Sequence, residues 1–391
     1  MRALQTRGEQ NIGELHLENY TVVMASAIPW GKDRHRQHEI AHYLAERCPV
    51  MYLNPPSGRA AEPPRAEVIS PRLTVVSVPG GPYPGGWASP AMNRANRRHT
   101  ARELGALFPD LTQGPLVLWL DESAAEPYID LLDSRLVVYD CADEDYAFAH
   151  NPLRRRMLKA YEDRVTRRAD LVFVSAVPLL ERKRELNPRT HLALNAVDFE
   201  HFARVAAAHP PVGDGAPVIG FVGGALRDRM DYELLAHVAL ARPQWRVELV
   251  GRVEWPRGFR PPVNLVSVGS RPYADLPEVM ARHSVCIIPY RGEGRLSYIH
   301  PKKLFEYLAA GKPVVSTELP AVLPYAGIVK IAGTHAEFVA RIEECLAENA
   351  DPAMSAALVR QRMALARENG WPHRVAEMAE VVEAAFAERQ A

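Results

Sequence analysis

The sequence predicts an α/β protein made of two Rossmann-like domains in tandem, which face a central cleft. Two observations indicate this. Short apolar runs alternate with helical stretches along the chain, and one Pro-, Gly- and Ala-rich segment, 203–217, interrupts the alternation near the middle. Runs of Val, Leu and Ile without period-2 alternation are typical of strands buried on both faces of a parallel sheet. Strands alternating with helices build an open sheet with right-handed crossovers.

In the first half, six apolar runs are predicted as strands: 21–28, 49–53, 73–78, 116–120, 136–139 and 171–175. Helical patterns lie between them, at about 36–46, 90–107, 152–168 and 177–186. The second half repeats the alternation, with strands at 218–222, 246–250, 264–268, 285–288 and 313–317. Its helices are predicted near 230–241, 274–282, 301–310 and 335–348.

The chain ends in a helical pattern, in which Val375, Met378, Val382 and Phe386 fall on one face. This last helix packs either on the second domain or back on the first. We therefore divide the chain into domains at 1–205 and 206–370, followed by a C-terminal helix at 371–391. The default ligand site is the cleft at the carboxyl ends of both sheets.

Composition excludes several classes of protein. The 391 residues are enough for about two domains. Equal numbers of basic and acidic side chains, 47 each, argue against a dedicated nucleic-acid binder. The four scattered cysteines form no CxxC pair, which predicts reduced thiols in a cytosolic protein rather than a zinc site. No apolar run reaches the ~18 residues that span a bilayer, so membrane contact is expected only at the surface.

The segment Ser297–Thr317 carries the clearest chemical pattern. Pro301 suits a helix start, which places Lys302 and Lys303 in a first turn beside free backbone N–H groups. Such a turn suits an anion, for example a diphosphate. Glu306 lies three residues further along the same face, where a carboxylate can accept two hydroxyl hydrogen bonds from a ribose. The alternative is an ordinary βαβ helix with solvated Lys and Glu side chains.

The string PKKLFEYLAAGKPVVS resembles the donor-site signature of nucleotide-sugar glycosyltransferases with the GT-B fold. It is closest to the bacterial polysaccharide-assembly branch, which includes teichuronic acid and xanthan glucuronosyltransferase-like members. In that family the Glu binds the nucleotide ribose and the preceding Lys reaches the diphosphate. The resemblance implies these roles for Glu306 and Lys303. It also implies that the first domain binds the acceptor and the second the donor.

A second donor segment is Val218–Asp231, where a buried strand runs into Gly223 and Gly224. Glycines allow close approach of the backbone to a phosphate. The family has a phosphate-binding basic residue after this strand. Arg229 is in register with it, and Arg227 is the alternative.

Three later loops complete the donor site that the resemblance implies, with candidate contacts at Arg252, Arg271, Tyr290 and Glu293. The family places the nucleobase against the second of these loops. Many retaining members carry a second Glu eight residues before the ribose-binding one. Tyr298 occupies that position here, so the paired-glutamate motif is absent or displaced to Glu293, and the stereochemical outcome stays open.

In the first domain, acidic residues follow the predicted strand that ends at Tyr139. Acids at the end of a parallel strand point into the cleft, where one of them can deprotonate an acceptor hydroxyl. The family also has an Asp of this domain as its proposed base. Asp143 is the first candidate, Asp140 the second, and Glu144 a third; a helix-capping acidic turn is the structural alternative.

The first domain also contains two histidines and an acidic string that could take part in the chemistry. The imidazoles of His35 and His38 follow the first strand and are minor candidates for a base. Asp143, Glu144 and Asp145 imitate a DxD metal motif, but GT-B enzymes stabilise the leaving diphosphate with cations and helix N-termini. The resemblance therefore implies no metal and no cofactor beyond the nucleotide-diphospho-sugar substrate, UDP- or GDP-linked.

Arginine clusters occur on two predicted helices: Arg94, Arg97, Arg98 and Arg102, and Arg154, Arg155, Arg156, Lys159, Arg167 and Arg168. They form either solvated helix faces or contacts with anionic lipid headgroups or a lipid-diphosphate acceptor. Tyr83 and Trp87, just before the first cluster, fit an interfacial loop.

Taken together, these patterns predict a glycosyltransferase that moves a sugar from a nucleotide-diphospho-sugar to a glycan or polyprenyl-diphosphate-linked saccharide in surface polysaccharide biosynthesis. The expected location is the cytoplasm, on the inner face of the plasma membrane. Two alternatives remain, namely a nucleotide-sugar 2-epimerase of the same fold and a non-catalytic nucleotide-sugar-binding protein.

Overall fold

The computed structural model describes residues 20–31, 34–56, 63–83, 89–112, 114–149, 151–206, 215–291 and 299–389. The candidate residues Glu293 and Tyr298, and the aromatic residue Trp87, lie outside these ranges.

The first domain is built on an eight-stranded sheet in the order β3-β4-β2-β1-β5-β6-β7-β8. Its strands are β1 Thr21–Ala25, β2 Val50–Leu53, β3 Arg65–Ser70, β4 Leu73–Ser77, β5 Leu116–Leu120, β6 Leu136–Cys141, β7 Leu171–Val174 and β8 Thr190–Leu192. All neighbours are parallel except β3 and β4. The six predicted strands are present. The two missed ones lie at the edges, where β3 is exposed and mixes polar with apolar residues and β8 has three residues.

The second domain has a six-stranded parallel sheet in the order β11-β10-β9-β12-β13-β14. Its strands are β9 Val218–Val222, β10 Arg246–Val250, β11 Leu265–Gly269, β12 Val285–Ile288, β13 Val314–Thr317 and β14 Lys330–Ala332. Five were predicted to within one residue at each end. The three-residue β14 is too short to give a hydrophobic pattern, so the sequence did not reveal it.

Eleven helices belong to the described residues: α1 Arg36–Leu44, α2 Pro90–Leu107, α3 Pro152–Arg168, α4 Val177–Arg184, α5 Phe199–Ala203, α6 Tyr232–Ala241, α7 Leu276–Ala281, α8 Lys303–Ala309, α9 His335–Ala350, α10 Pro352–Glu368 and α11 Trp371–Glu388. Several starts are capped by a side-chain oxygen that accepts from free backbone N–H groups. The caps are Asn151 on α3, Asp198 on α5, Asp231 on α6, Thr334 on α9 and Asp351 on α10. None of these helices combines the length and apolarity needed to cross a bilayer.

The last helix crosses back to the first domain. The apolar face of α11, from Trp371 through Met378 to Phe386, is buried in the same core as β1, β2 and α1. Backbone hydrogen bonds at Val197 accompany the crossing, since its N–H donates to Asn369 and its carbonyl accepts from Trp371. Of the two placements that the sequence allowed for this helix, the structure has the second.

Candidate active site

A cavity of about 530 Å³ lies between the two domains. From the first domain, residues that follow β1, β5 and β6 line it, including Asp121 and Asp143. From the second domain, the glycine loop after β9 and the start of α8 line it, including Gly223, Lys303 and Glu306. The carboxyl ends of the two sheets therefore meet here, as expected for a ligand site of α/β domains.

Lys303 is held over the glycine loop by aromatic side chains. Its Nζ donates to the Oη of Tyr290 at 2.5 Å and lies 4.9 Å from the ring centroids of both Tyr290 and Phe221. The Cε of Lys303 is 3.2 Å from where a Cβ on Gly223 would stand. The ammonium group is thus fixed beside bare backbone, a combination that suits a phosphate group. Tyr290 is buried and positions this lysine.

The glycine loop depends on a second glycine at the end of β10. Gly223 and Gly251 both have positive φ angles, of 128° and 132°. A Cβ on Gly251 would stand 2.3 Å from the carbonyl oxygen of Gly223. Only glycine lets the two strand ends approach this closely. The backbone of Gly223 and Gly224 therefore lines the cavity beside the Lys303 side chain.

We expect Gly251→Ala to lower the free energy of unfolding by about 1–3 kcal/mol, because it adds both backbone strain and a clash with Gly223. Urea denaturation measures the change. Gly105→Ala is the matched control, since Gly105 lies exposed in the last turn of α2 with nothing within 4 Å of an added Cβ. That control should raise stability by about 0.5–1 kcal/mol. Equal effects of the two substitutions would contradict the close approach.

Glu306 is 8% exposed, and its Oε1 lies 3.3 Å from the Nζ of Lys302. Lys302 also donates to the backbone carbonyl of Arg34 in the first domain, at 2.7 Å. This lysine therefore connects the domains and orients the Glu306 carboxylate. The helix begins at Lys303, two residues later than predicted, and has seven residues. The positive charge that would attract an anion to this site therefore comes mainly from the lysine side chains, because so short a helix has a weak dipole.

Asp143 lies just after β6 and lines the cavity. Burial raises the pKa of its carboxyl group to about 6, and the charges of Arg229 and Arg36 oppose that rise. Arg229 therefore acts on Asp143 from across the cleft, which supports it over Arg227 as the basic residue of the site. Arg227 is exposed, and its guanidinium lies 3.5 Å from the Trp255 carbonyl.

The other two acidic candidates are occupied elsewhere. Asp140 is buried, and both of its oxygens accept hydrogen bonds from Arg36, at 2.8 and 2.9 Å. Glu144 is also buried and pairs with Arg182 at 2.8 Å and Lys183 at 3.1 Å. The oxygens of both buried carboxylates are already engaged in these pairs, so this geometry argues against Asp140 and Glu144 as the base.

Sequence reasoning missed Asp121. Its two oxygens accept from the Ser26 hydroxyl at 2.6 Å and from the Ala27 N–H at 2.7 Å. Burial raises the pKa of this carboxyl group well above its usual range. The available signal was its position directly after the buried run 116–120, at a carboxyl strand end. Asp121 fixes the loop after β1 at the edge of the cavity.

Several predicted residues lie away from the cavity. Arg252 is exposed and pairs with Glu254 at 2.6 Å, and Arg271 is exposed on the loop after β11. Of the two histidines, His35 lines the cavity. His38 is buried among aromatic rings, and its ring centroid lies 5.0 Å from that of Trp30. Within the described ranges, no three His, Cys, Asp or Glu side chains are arranged to hold a metal ion.

Comparison with known sequences points to one class of enzyme. Residues 228–380 match the family described as Glycosyl transferase-like. The putative teichuronic acid biosynthesis glycosyltransferase TuaH of Bacillus subtilis (strain 168) is 28% identical over 370 residues, covering 84% of this chain and 89% of that protein. Both matches bear out the resemblance to glycosyltransferases that the donor signature predicted.

Comparison with solved structures gives the fold. The trehalose-6-phosphate structure from E. coli bound with UDP-2-fluoro glucose has a TM-score of 0.65 at 12% identity, covering 92% of this chain and 98% of that one. Anabaena Alr3699/HepE in complex with UDP and glucose has a TM-score of 0.60 at 15% identity, covering 94% and 100%. The predicted GT-B architecture of two Rossmann-like domains is confirmed.

Proposed function

We propose that this chain, a glycosyltransferase with the GT-B fold, transfers a sugar from a nucleotide-diphospho-sugar to a glycan or lipid-linked saccharide in surface polysaccharide biosynthesis. One observation supports this best: a single cavity combines a carboxylate from the first domain with a lysine and glycine site from the second. The name of the B. subtilis relative, which places it in teichuronic acid biosynthesis, favours a polysaccharide acceptor. The UDP and UDP-sugar bound to the structural neighbours favour a nucleotide-sugar donor.

On the donor side, the Glu306 carboxylate binds the ribose hydroxyls. Lys303 and Arg229 bind the diphosphate together with the bare backbone of Gly223 and Gly224. When the bond from the sugar to the diphosphate breaks, negative charge grows on the leaving oxygen. Fixed cations aimed at that oxygen stabilise the transition state more than the ground state.

On the acceptor side, Asp143 takes the proton of the attacking hydroxyl. A base is most effective when its pKa lies near the working pH, and burial moves the carboxyl group of Asp143 toward that range. Arg36 and Asp140 form the buried pair behind it, and Asp121 holds the loop after β1. Closure of the two domains on the substrates would exclude water from the donor.

Two other activities would use the same donor site. A nucleotide-sugar 2-epimerase converts its substrate with no acceptor present, and a non-catalytic binder leaves it unchanged. The glycosyltransferase names of the matching family and of the B. subtilis relative favour transfer. Nucleotide release that depends on an added acceptor supports the proposal, and conversion of a nucleotide-sugar to its epimer without an acceptor contradicts it.

The first experiment is a thermal-shift panel of UDP- and GDP-linked sugars. We expect one of them to raise the melting temperature of the wild-type protein, since a ligand that binds only the folded state stabilises it. If no nucleotide-sugar stabilised the protein, the donor site proposed here would be wrong.

The proposal includes no resident cofactor or metal, because Lys303 and Arg229 supply positive charge at the diphosphate. We expect activity after treatment with EDTA and desalting to stay within about twofold of the untreated enzyme, a free-energy change below about 0.5 kcal/mol. Restoration of a lost activity by Mg²⁺ or Mn²⁺ would show that a metal shares this role.

We also propose that the enzyme works in the cytoplasm against the inner face of the plasma membrane, where a polyprenyl-linked acceptor is embedded. The four cysteines are all free and buried, as expected for a reducing compartment. Of the predicted basic clusters, Arg97 is buried against Glu122, and Arg168 pairs with Glu126. Exposed arginines such as Arg155 remain for lipid contact. Flotation that requires phosphatidylglycerol would support this location, and equal flotation with neutral vesicles would contradict it.

A further inference from the structure

A second cavity, of about 470 Å³, lies beside α2 in the first domain. Its lining includes Tyr83, Arg98, His99 and Arg102, and it shares no residue with the cavity between the domains. None of the roles assigned above to the donor site or to Asp143 uses these side chains.

Among the described residues, no carboxylate neutralises the positive charge in this cavity. Arg98, His99 and Arg102 are spaced to lie on one face of α2, opposite the buried face at Arg97. On the same helix, Arg94 pairs with Asp130 at 2.8 Å and Arg97 with Glu122. No carboxylate of the described ranges lies within ion-pair distance of Arg98 or Arg102. Two guanidinium groups and an imidazole therefore line one concave surface.

The wall facing these arginines is rigidly attached to the helix. Asn96 accepts from the backbone N–H of Tyr83 at 3.0 Å and donates to its carbonyl at 2.8 Å. A Cβ on Gly81 would stand 2.6 Å from the Cα of Asn96, so this loop packs on α2 as closely as glycine permits. The cavity is thus preformed, which lowers the entropic cost of binding a ligand.

The cavity also lies at the edge of the sheet that carries the active site. Its loop follows β4, which is parallel to β2 and β1. Side chains connect the strand ends, since Asn54 accepts from the N–H of Trp30 at 2.7 Å and donates to Ser77 at 2.9 Å. A substrate extending from the cleft along the first domain would reach this edge.

We propose that Arg98, His99 and Arg102 form a phosphate-binding subsite, which takes a phosphate group of the acceptor. Guanidinium groups match phosphate oxygens in charge and geometry, and two of them can bind one diphosphate. The inference that this site binds phosphate is argued from the cavity itself. The assignment of that phosphate to the acceptor rests on the proposed function. The phosphate belongs either to a lipid-linked diphosphate or to a phosphorylated saccharide.

Calorimetric titration with inorganic pyrophosphate tests the subsite. Lys303→Met is used as the background, because the loss of this lysine weakens diphosphate binding at the donor site. In that background we expect Arg98→Gln with Arg102→Gln to weaken pyrophosphate binding by at least about tenfold, because two charge-assisted contacts are lost. The control pair, Arg282→Gln with Arg360→Gln, removes the same charge from exposed positions of the second domain and should change binding less than about twofold.

Equal losses from both pairs, or no saturable pyrophosphate binding in the Lys303→Met protein, would overturn the subsite. Nucleotide-sugar stabilisation of the Arg98→Gln, Arg102→Gln protein, with Lys303 intact, should equal that of the wild type. A failure of the subsite is therefore distinguishable from a failure of the donor site. Flotation with phosphatidylglycerol vesicles tests whether the ligand is instead a membrane surface. If Arg98→Gln with Arg102→Gln abolished flotation but left pyrophosphate binding unchanged, the arginines would form a membrane contact and the proposal would be overturned.

Discussion

Asp143→Asn is expected to lower kcat by about 100- to 10,000-fold, the usual contribution of a general base. The amide has the shape of the carboxyl group but cannot accept the acceptor proton. Donor affinity should remain, because the ribose and diphosphate contacts come from the second domain. Steady-state kinetics and a nucleotide-sugar thermal shift on the same protein separate the two quantities.

The pH dependence of the wild-type enzyme has a definite sign. The pKa of the Asp143 carboxyl group is raised to about 6, so the fraction in the active carboxylate form falls as pH falls through 6. We expect kcat to decline below that pH. The same shift means that the folded protein binds a proton more tightly than the unfolded chain, so ionised Asp143 opposes folding at neutral pH. Asp143→Asn should accordingly raise the melting temperature at pH 7.5 while removing activity.

Asp133→Asn is the matched control, because Asp133 is an exposed aspartate of the same domain. It should change neither kcat nor the melting temperature appreciably. Turnover of the Asp143→Asn protein within threefold of the wild type would assign the base to another group. Asp121, the other first-domain carboxyl group that lines the cavity, would then be tested in the same way.

Glu306→Gln is expected to weaken nucleotide-sugar binding by about 10- to 150-fold, because a hydrogen bond to a charged group contributes about 1.5–3 kcal/mol. The amide keeps the volume of the side chain but presents one acceptor oxygen in place of two. It also removes the charge that orients Lys302, although Lys302 keeps its bond to the Arg34 carbonyl. Calorimetry with the nucleotide-sugar found in the panel measures the loss.

Glu343→Gln serves as the control for this prediction. Glu343 is an exposed glutamate of the same domain that pairs with Arg242. It should leave donor affinity unchanged. If Glu306→Gln bound the donor as tightly as the wild type did, the proposed binding of the ribose by Glu306 would be wrong. That result would contradict neither the fold nor the transfer reaction.

Most of the fold was predictable because burial leaves a local pattern. Strands such as β5 and β9 are continuous apolar runs, and each was predicted at its observed bounds. The elements that were missed have no such pattern. The exposed edge strand β3 mixes polar and apolar residues without a continuous apolar run, and β8 and β14 contain three residues each. Their pairing depends on the neighbouring strand rather than on their own residues.

The candidate site was predictable to a smaller extent. The signature carried Lys303 and Glu306, because they lie close together on one short helix. Which acidic residue of the first domain faces the cavity was not predictable. Asp140 pairs with Arg36, which is 104 residues away in the sequence, and Glu144 pairs with Arg182, which is 38 residues away. Asp121 was missed because its role is defined by contacts to Ser26 and Ala27.

The sequence by itself determined the order of strands and helices, the two-domain GT-B architecture and the donor signature, because each of these leaves a pattern among residues that are close in the sequence. Only the tertiary structure decided the rest. Of the three acids, it placed Asp143 in the lining of the cavity, brought Asp121 to the same cavity, and returned α11 to the first domain. It also paired Arg94 and Arg97 with carboxylates, whereas Arg98 and Arg102 line the second cavity. The physical reason is that burial follows local periodicity, whereas the ionisation and availability of a side chain depend on partners that only the folded topology brings near.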